Sequence, residues 1–197
     1  MNYAWYLFRF EGRINRAKFW LAGLVIVGCM IPLAALTVAV GHLFGGPKSF
    51  SFGINDIFGV LDPESYRSLS TAGLGQAVIK AVGTPLFLWM YLATAIKRLQ
   101  DRDRSAWWMM PFFVFPGLFN QFADRLGDSY VVIFVGLASF VCCIWGFIEL
   151  CFLKGTTGPN RFGADPLAPV DTRPRWDQQS ELELMPHRAG PSPASQG

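Results

Sequence analysis

The chain has 197 residues, of which 52% are hydrophobic and only 16% charged, with 18 Phe, 7 Trp and a net charge of +3. Soluble domains average about 25% charged residues, so a chain this small has too little polar surface to cover a core in water; lipid removes that requirement. The basic excess is too slight and scattered for a nucleic-acid footprint, which needs a concentrated basic face, and nucleic acid is excluded as a partner.

In chain order, an arm over residues 1–18 comes first, with Tyr3, Trp5, Tyr6, Phe8 and Phe10 preceding Arg13, Arg16 and Lys18. It reads either as an interfacial segment on the inner leaflet or as one packed against the bundle. A membrane helix needs about 20 apolar residues to cross about 30 Å of hydrocarbon. Phe19 to Gly41 supplies 23 uncharged residues, beyond the about 7–15 of a signal peptide's apolar region, so it reads as a retained first span. Gly23 and Gly28 within it, and Gly136 and Gly146 later, are suited to close helix contacts.

The loop after the first span carries Ile54, Ile57, Phe58 and Leu61 at i, i+3, i+4, i+7, the spacing of a short helix skimming the outer membrane face. A second span over 74–96 is interrupted only by Lys80, which can snorkel outward. The third, 106–123, has 18 uncharged residues, but Pro111 and Pro116 each remove a backbone donor, which predicts a kinked span or a bent hairpin. The fourth, 129–153, opens with 20 uncharged residues from Ser129 to Ile148 and carries Glu149 near its end. Residues 154–166 form a turn segment. Residues 167–197, rich in Pro, Ser, Gln and charge, cannot bury enough apolar area to offset ordering entropy. The expected fold is therefore all-α, an integral membrane bundle of four transmembrane helices with a disordered cytoplasmic C-terminal tail.

Assigning loops alternately to the two sides puts thirteen Lys and Arg residues on one and four, Lys48, Arg67, Lys80 and Arg125, on the other. The positive-inside rule then places both termini and the central 97–105 loop in the cytoplasm. Trp107 and Trp108, Phe19 and Trp20, and Tyr130 stand at span ends, where amphipathic rings favour the headgroup layer. Cys29, Cys142, Cys143 and Cys151 all fall in apolar runs, and His42 and His187 lie far apart. These spacings offer no metal site, and no cofactor is expected.

Three polar segments meet on the expected cytoplasmic side: Gly12-Arg13-x-x-Arg16-x-x-Phe19-Trp20, Arg98-Leu99-x-Asp101-x-x-x-Ser105-x-Trp107-Trp108 and Gly155-Thr156-x-Gly158-Pro159-Asn160-x-Phe162-Gly163-x-Asp165-Pro166. In this order, over about residues 8–166, they resemble the bacterial inner-membrane family called domain of unknown function 805. The resemblance implies a small multi-span inner-membrane protein and no particular activity. The chain departs from the family in having Gln100 where His is usual, and Asp103 and Ala106 where Gly is usual. A proton-transfer role for that His is unavailable here.

The nine cations Arg13, Arg16, Lys18, Lys97, Arg98, Arg102, Arg104, Lys154 and Arg161 outnumber Glu11, Asp101, Asp103 and Asp165 on this face. Anionic headgroups attract such residues at about 1 kcal/mol each, so membrane phospholipid is the expected contact; the competing reading is that the charges only set topology and pair with one another. A specific form of that pairing has Arg13, Arg16 and Arg98 forking onto Asp101, as guanidinium groups bind carboxylates. Arg104, Ser105, Asn160, Arg161 and Asp165 complete the candidate cluster. Gly155 to Asn160 is no phosphate loop, since it leaves a membrane helix and meets Pro159. It reads as a helix stop with Gly155 at a left-handed C′ position, and Asn160 and Asp165 suit turns. Glu149, an acid inside a span, is a functional candidate by default or a structural partner for an Arg. With no Ser/His/Asp or Cys/His set, and only Asp101 and Glu149 to test for headgroup chemistry, the expectation is a non-enzymatic scaffold or regulator binding anionic lipid or a protein partner. The alternative is a small transporter or channel subunit using Glu149, which would have to be a homo-oligomer.

Overall fold

The computed structural model describes residues 3–44, 54–58, 74–127 and 129–169. The expected tail lies, from residue 170 onward, outside the described residues, as does Leu61 of the outer loop. Among the described residues all regular structure is helical, apart from one isolated bridge between Asn160 and Gly163. The α-helices are α1 (Tyr3–Phe8), α2 (Arg16–Phe44), α3 (Ile54–Phe58), α4 (Leu74–Asp101), α5 (Phe115–Phe122) and α6 (Tyr130–Cys151). Three stretches, Arg16–Leu43, Ala77–Asp101 and Tyr130–Cys151, are long and apolar enough to cross a membrane.

The helices outrun the apolar runs at the polar end, for identifiable reasons. Asn15 caps α2: its Oδ1 accepts the Lys18 amide at 2.9 Å and its carbonyl accepts the Phe19 amide at 3.0 Å, the arrangement of a helix N-cap. The helix thus starts three residues before the expected 19. α4 runs past 96 to Asp101 because Lys97, Arg98 and Asp101 find partners inside the protein. α6 stops at Cys151, short of the expected 153.

The expected third span, 106–123, is one helical run that changes type: a 3-10 turn at Ala106–Trp108, a π turn at Met110–Val114, then α5 and a 3-10 turn at Ala123–Arg125. Here the bent-hairpin expectation is corrected to a single irregular run. Pro111 has no N–H, and the chain widens so that Phe115 donates to Met110 five residues back; a π turn of this kind accommodates a proline without ending the helix.

The N-terminal arm packs against the bundle. Tyr6, Leu7 and Ile14 are buried with Ala22 of α2 and Phe87 and Met90 of α4, the Tyr6 hydroxyl donates to the Lys18 carbonyl, and burial pushes the Tyr6 phenol up. A second cluster joins Ala95 and Leu99 of α4, Met109 and Phe112, and Leu150 and Cys151 of α6. α3 does not simply skim a membrane face: Phe58 is buried against Gly117 of α5 and sits 5.8 Å from Phe113. Lys80, expected to snorkel, is paired with Asp56 of α3 at 2.8 Å.

α4 is the most buried of the three long helices, whereas α2 and α6 are largely exposed. The latter two turn residues such as Leu24, Ile31, Phe134 and Phe140 outward, as lipid-facing helices do. Of the four span glycines, a Cβ on Gly146 would lie 2.7 Å from the Phe112 Cβ, and one on Gly136 3.0 Å from Phe119, whereas Gly23 and Gly28 have nothing within 4 Å. The close-contact reading therefore holds within this chain for Gly136 and Gly146, whereas Gly23 and Gly28 make no such contact within it. Gly146→Leu should accordingly lower stability by about 1–3 kcal/mol through overpacking. Gly23→Ala should be neutral or gain up to about 1 kcal/mol from helix propensity. Thermal unfolding of both variants in detergent checks the contrast.

Candidate functional site

A helix leaves its last four carbonyls without helical donors, and these carry the negative end of the helix dipole. Beyond α6 the Phe152 and Leu153 amides turn back to Ile148. The five consecutive carbonyls from Leu150 to Lys154 each accept a side chain from elsewhere. Leu150 accepts Arg98 Nε at 3.0 Å, Cys151 accepts Trp20 Nε1 at 3.3 Å and Phe152 accepts Arg16 Nη1 at 3.0 Å. Leu153 accepts Arg98 Nη2, and Lys154 accepts Arg102 Nη1 at 2.5 Å. The end of α6 is thus capped from α2, α4 and the residue after α4.

Asp101, the last residue of α4, anchors the donors. Its Oδ2 accepts Arg98 Nη1, and its Oδ1 accepts Arg13 Nε at 3.2 Å. The three side chains are 0–3% exposed. Arg13 extends the grip into the turn segment: Nη1 donates to Gly158 at 2.7 Å and Gly163 at 3.2 Å, and Nη2 to the Thr156 carbonyl at 2.6 Å. The Asp101 carbonyl in return accepts the Thr156 amide at 2.8 Å and its hydroxyl at 3.0 Å.

The turn segment fits because of two glycines. A Cβ on Gly155 would collide with the Asp101 carboxylate, so its role is close approach, not the left-handed C′ position anticipated for it. The left-handed conformation falls on Gly158, with φ +77°. Asn160 Nδ2 donates to the Gln100 carbonyl at 2.9 Å. Asp165 accepts the Gly158 and Leu167 amides, each at 2.9 Å, and these two bonds hold its carboxyl below the ordinary 3.8.

Not every expected residue joins the clamp. Arg16 lies on the Phe152 carbonyl and not on Asp101, because its place in the first turn of α2 faces the end of α6. Arg104 and Arg102 share Glu149 instead, Nε to Oε1 at 3.4 and 2.7 Å, and Arg104 stacks over Trp108 at 4.5 Å. Glu149 itself is 2% exposed. Arg161 pairs at the surface with Asp103, Nε to Oδ1 at 3.1 Å, where Asp103 takes φ +57°. Ser105 precedes the 3-10 turn without a side-chain cap.

Besides Trp20 and Arg102 on the α6 carbonyls, two further participants, Lys97 and Thr156, lay outside the expected cluster. Lys97 is fully buried, donates to the Trp5 and Tyr6 carbonyls at 2.8 and 2.6 Å, and sits 4.7 Å over the Trp5 ring. Its spacing of four from Asp101 marks a shared helix face, but nothing local in the sequence points it to α1. Thr156, a side chain and amide on Asp101 at once, carries no sequence signal beyond its neighbouring glycine.

The fold and site define a helical protein with three membrane-length helices, clamped at one end by a buried arginine–aspartate network. The family model described as "Protein of unknown function (DUF805)" matches residues 7–164, so the chain belongs to this family. No curated protein and no solved structure matches it.

Removing the Asp101 charge leaves two guanidinium groups buried without their counter-ion, a change that costs about 3–5 kcal/mol. Asp101→Asn should therefore lower the unfolding temperature sharply and reduce abundance in cells, whereas an unchanged melting profile in detergent would refute the clamp. The depressed acidity of Asp165 gives a second prediction. Its two backbone bonds are fully present above pH 3.8 and are lost as pH falls through its lower folded value. The Gly158 and Leu167 amide resonances should hold steady above that pH and shift together below it, and Asp165→Asn should abolish the titration.

Proposed function

We propose that this chain is a non-enzymatic scaffold of the bacterial inner membrane, crossing four times with both termini in the cytoplasm, whose cytoplasmic face holds anionic phospholipid. The observation that carries the reading is the closed clamp: Arg13, Arg98 and Asp101 are engaged with one another and with backbone carbonyls, an arrangement that fixes helices. Arg16 and Lys154 remain exposed beside the end of α6, and Arg9 is exposed on the arm packed against the bundle, where acidic headgroups would meet them.

A fourth crossing is supported by the way the irregular run lies along α6. Trp108 meets Trp145 with ring centroids 5.7 Å apart, Phe112 meets Gly146, and Phe119 meets Gly136. The two segments therefore run antiparallel over about 15 Å of helix. The thirteen-to-four split of Lys and Arg supports the orientation. Glu149, on which a transport reading would depend, is already held by Arg102 and Arg104, which favours the scaffold.

The test is native mass spectrometry of the full chain released from nanodiscs made with equal parts phosphatidylglycerol and phosphatidylcholine. Phosphatidylglycerol should be retained preferentially, and the double variant Arg9→Gln, Lys154→Gln should lower that retention by about fivefold per charge without changing the melting temperature. Equal retention of both lipids by the wild type would overturn lipid binding. A cytoplasmic reporter inactive when fused after Pro166 would overturn the topology.

A further inference from the structure

At the clamped end an apolar groove of about 320 Å³ opens between α2, α4, α6 and the π turn, lined by Trp20, Gly23, Tyr91, Phe113, Phe147 and Cys151 among others. Its walls are mostly apolar, a lining that disfavours filling by water. Its glycine wall is open: a Cβ on Gly23 would meet nothing within 4 Å. The groove follows α2 from Phe19 to Ile26, and from Arg16 to Ile26 is ten residues, about 15 Å of helix. That is half of a hydrocarbon core about 30 Å thick, the depth of one leaflet.

The mouth is basic. Arg16 stands one turn before Trp20, and its guanidinium reaches across to the Phe152 carbonyl, next to the lining residue Cys151. It therefore bridges the two helices that flank the opening. A guanidinium has five donors; among the described residues Arg16 makes one hydrogen bond, to Phe152, and its side chain is exposed. Trp20, half exposed, donates to the Cys151 carbonyl, which fixes its ring beside the same opening at the depth where indoles favour the headgroup layer.

We infer that this groove is a site for one acidic phospholipid of the inner leaflet, with an acyl chain lying along Gly23 and the phosphate on the free donors of Arg16. The inference rests on the proposed orientation and deepens it, turning a diffuse basic face into one defined lipid site. A cation at the mouth selects charge and the leaflet-deep apolar channel selects a chain, so the site needs both halves of the lipid. A soluble phosphate ester or a free fatty acid would satisfy only one.

The test is photo-crosslinking of the full chain in nanodiscs with a phosphatidylglycerol carrying a diazirine in its acyl chain, and with the same chain on phosphatidylcholine. Adducts are mapped to peptides by mass spectrometry. The wild type should label within 19–26 and 143–151 about fivefold more with the acidic probe. Gly23→Leu, which fills the groove from open space, should cut that labelling several-fold while leaving the melting temperature and the labelling around Ile31 unchanged. Arg16→Gln should equalise the two probes, and Arg16→Lys should restore the preference. Equal labelling by both probes in the wild type, or labelling insensitive to Gly23→Leu, would overturn the site. So would a dimer that native mass spectrometry finds in the wild type and loses in Gly23→Leu, because the groove would then hold a second copy. Acidic lipid still retained overall by a groove variant with unchanged labelling would sink the groove alone; no enrichment of acidic lipid anywhere would sink the scaffold reading with it.

Discussion

A helix that ends inside a protein must find donors for its last carbonyls, and α6 ends among the cations of α2 and α4. Five consecutive carbonyls, Leu150 to Lys154, each receive a side-chain N–H, four of them from arginine. Each would cost about 1–3 kcal/mol if buried and left open, and bonds from charged donors are the stronger kind. Because the donors come from Arg16 and Trp20 on α2, Arg98 on α4 and Arg102 just after it, satisfying one helix end fixes three helices at once.

That arrangement explains an imbalance of charge. Arg13, Arg98 and Lys97 are buried, yet the first two share a single hydrogen-bonded carboxylate, Asp101, and Lys97 donates to the Trp5 and Tyr6 carbonyls. Buried cations are tolerated when their N–H groups are all bonded. Here peptide carbonyls supply what further acids would otherwise have to: the end of α6 for Arg98, the turn segment for Arg13 and the end of α1 for Lys97. Asp101 sets the geometry, holding two guanidinium groups at a spacing that lets each reach a different backbone. Gly155 is the steric counterpart, since any larger residue would push the turn segment off that carboxylate.

The long elements were legible because hydrophobic length is a strong signal and needs no tertiary information. So was the gathering of three polar segments, since span ends must converge on membrane surfaces. The helix boundaries were less so: Asn15 is a readable N-cap, but α4 extends through Lys97 and Arg98 only because their partners lie more than 50 residues away. The partition of the arginines was illegible for the same reason. Arg13 and Arg16 are three apart on adjoining polar positions, yet one is buried on Asp101 and the other lies exposed on Phe152. The difference arises from where α2 begins, with Arg13 in the extended arm and Arg16 on the helix. Gly155, expected at a left-handed C′ position, is instead required for its missing Cβ, because sequence spacing reports a requirement for glycine without reporting which of its two properties is needed.

This partition also bears on the meaning of a basic cytoplasmic face. A count of Lys and Arg treats all thirteen as one population facing the membrane surface, but the buried ones hydrogen-bond to the protein's own carbonyls and are closed to lipid. On the proposed topology, what would remain for headgroups is a smaller exposed set, and Arg16 is distinctive within it because it both caps the end of α6 and borders an apolar channel. In the proposed lipid site, one residue at that junction would couple the integrity of the helix ends to the occupancy of the groove. A lipid phosphate competing for the Arg16 donors would draw on the same guanidinium that caps α6, and the two demands are compatible because its five N–H groups outnumber the one carbonyl it serves.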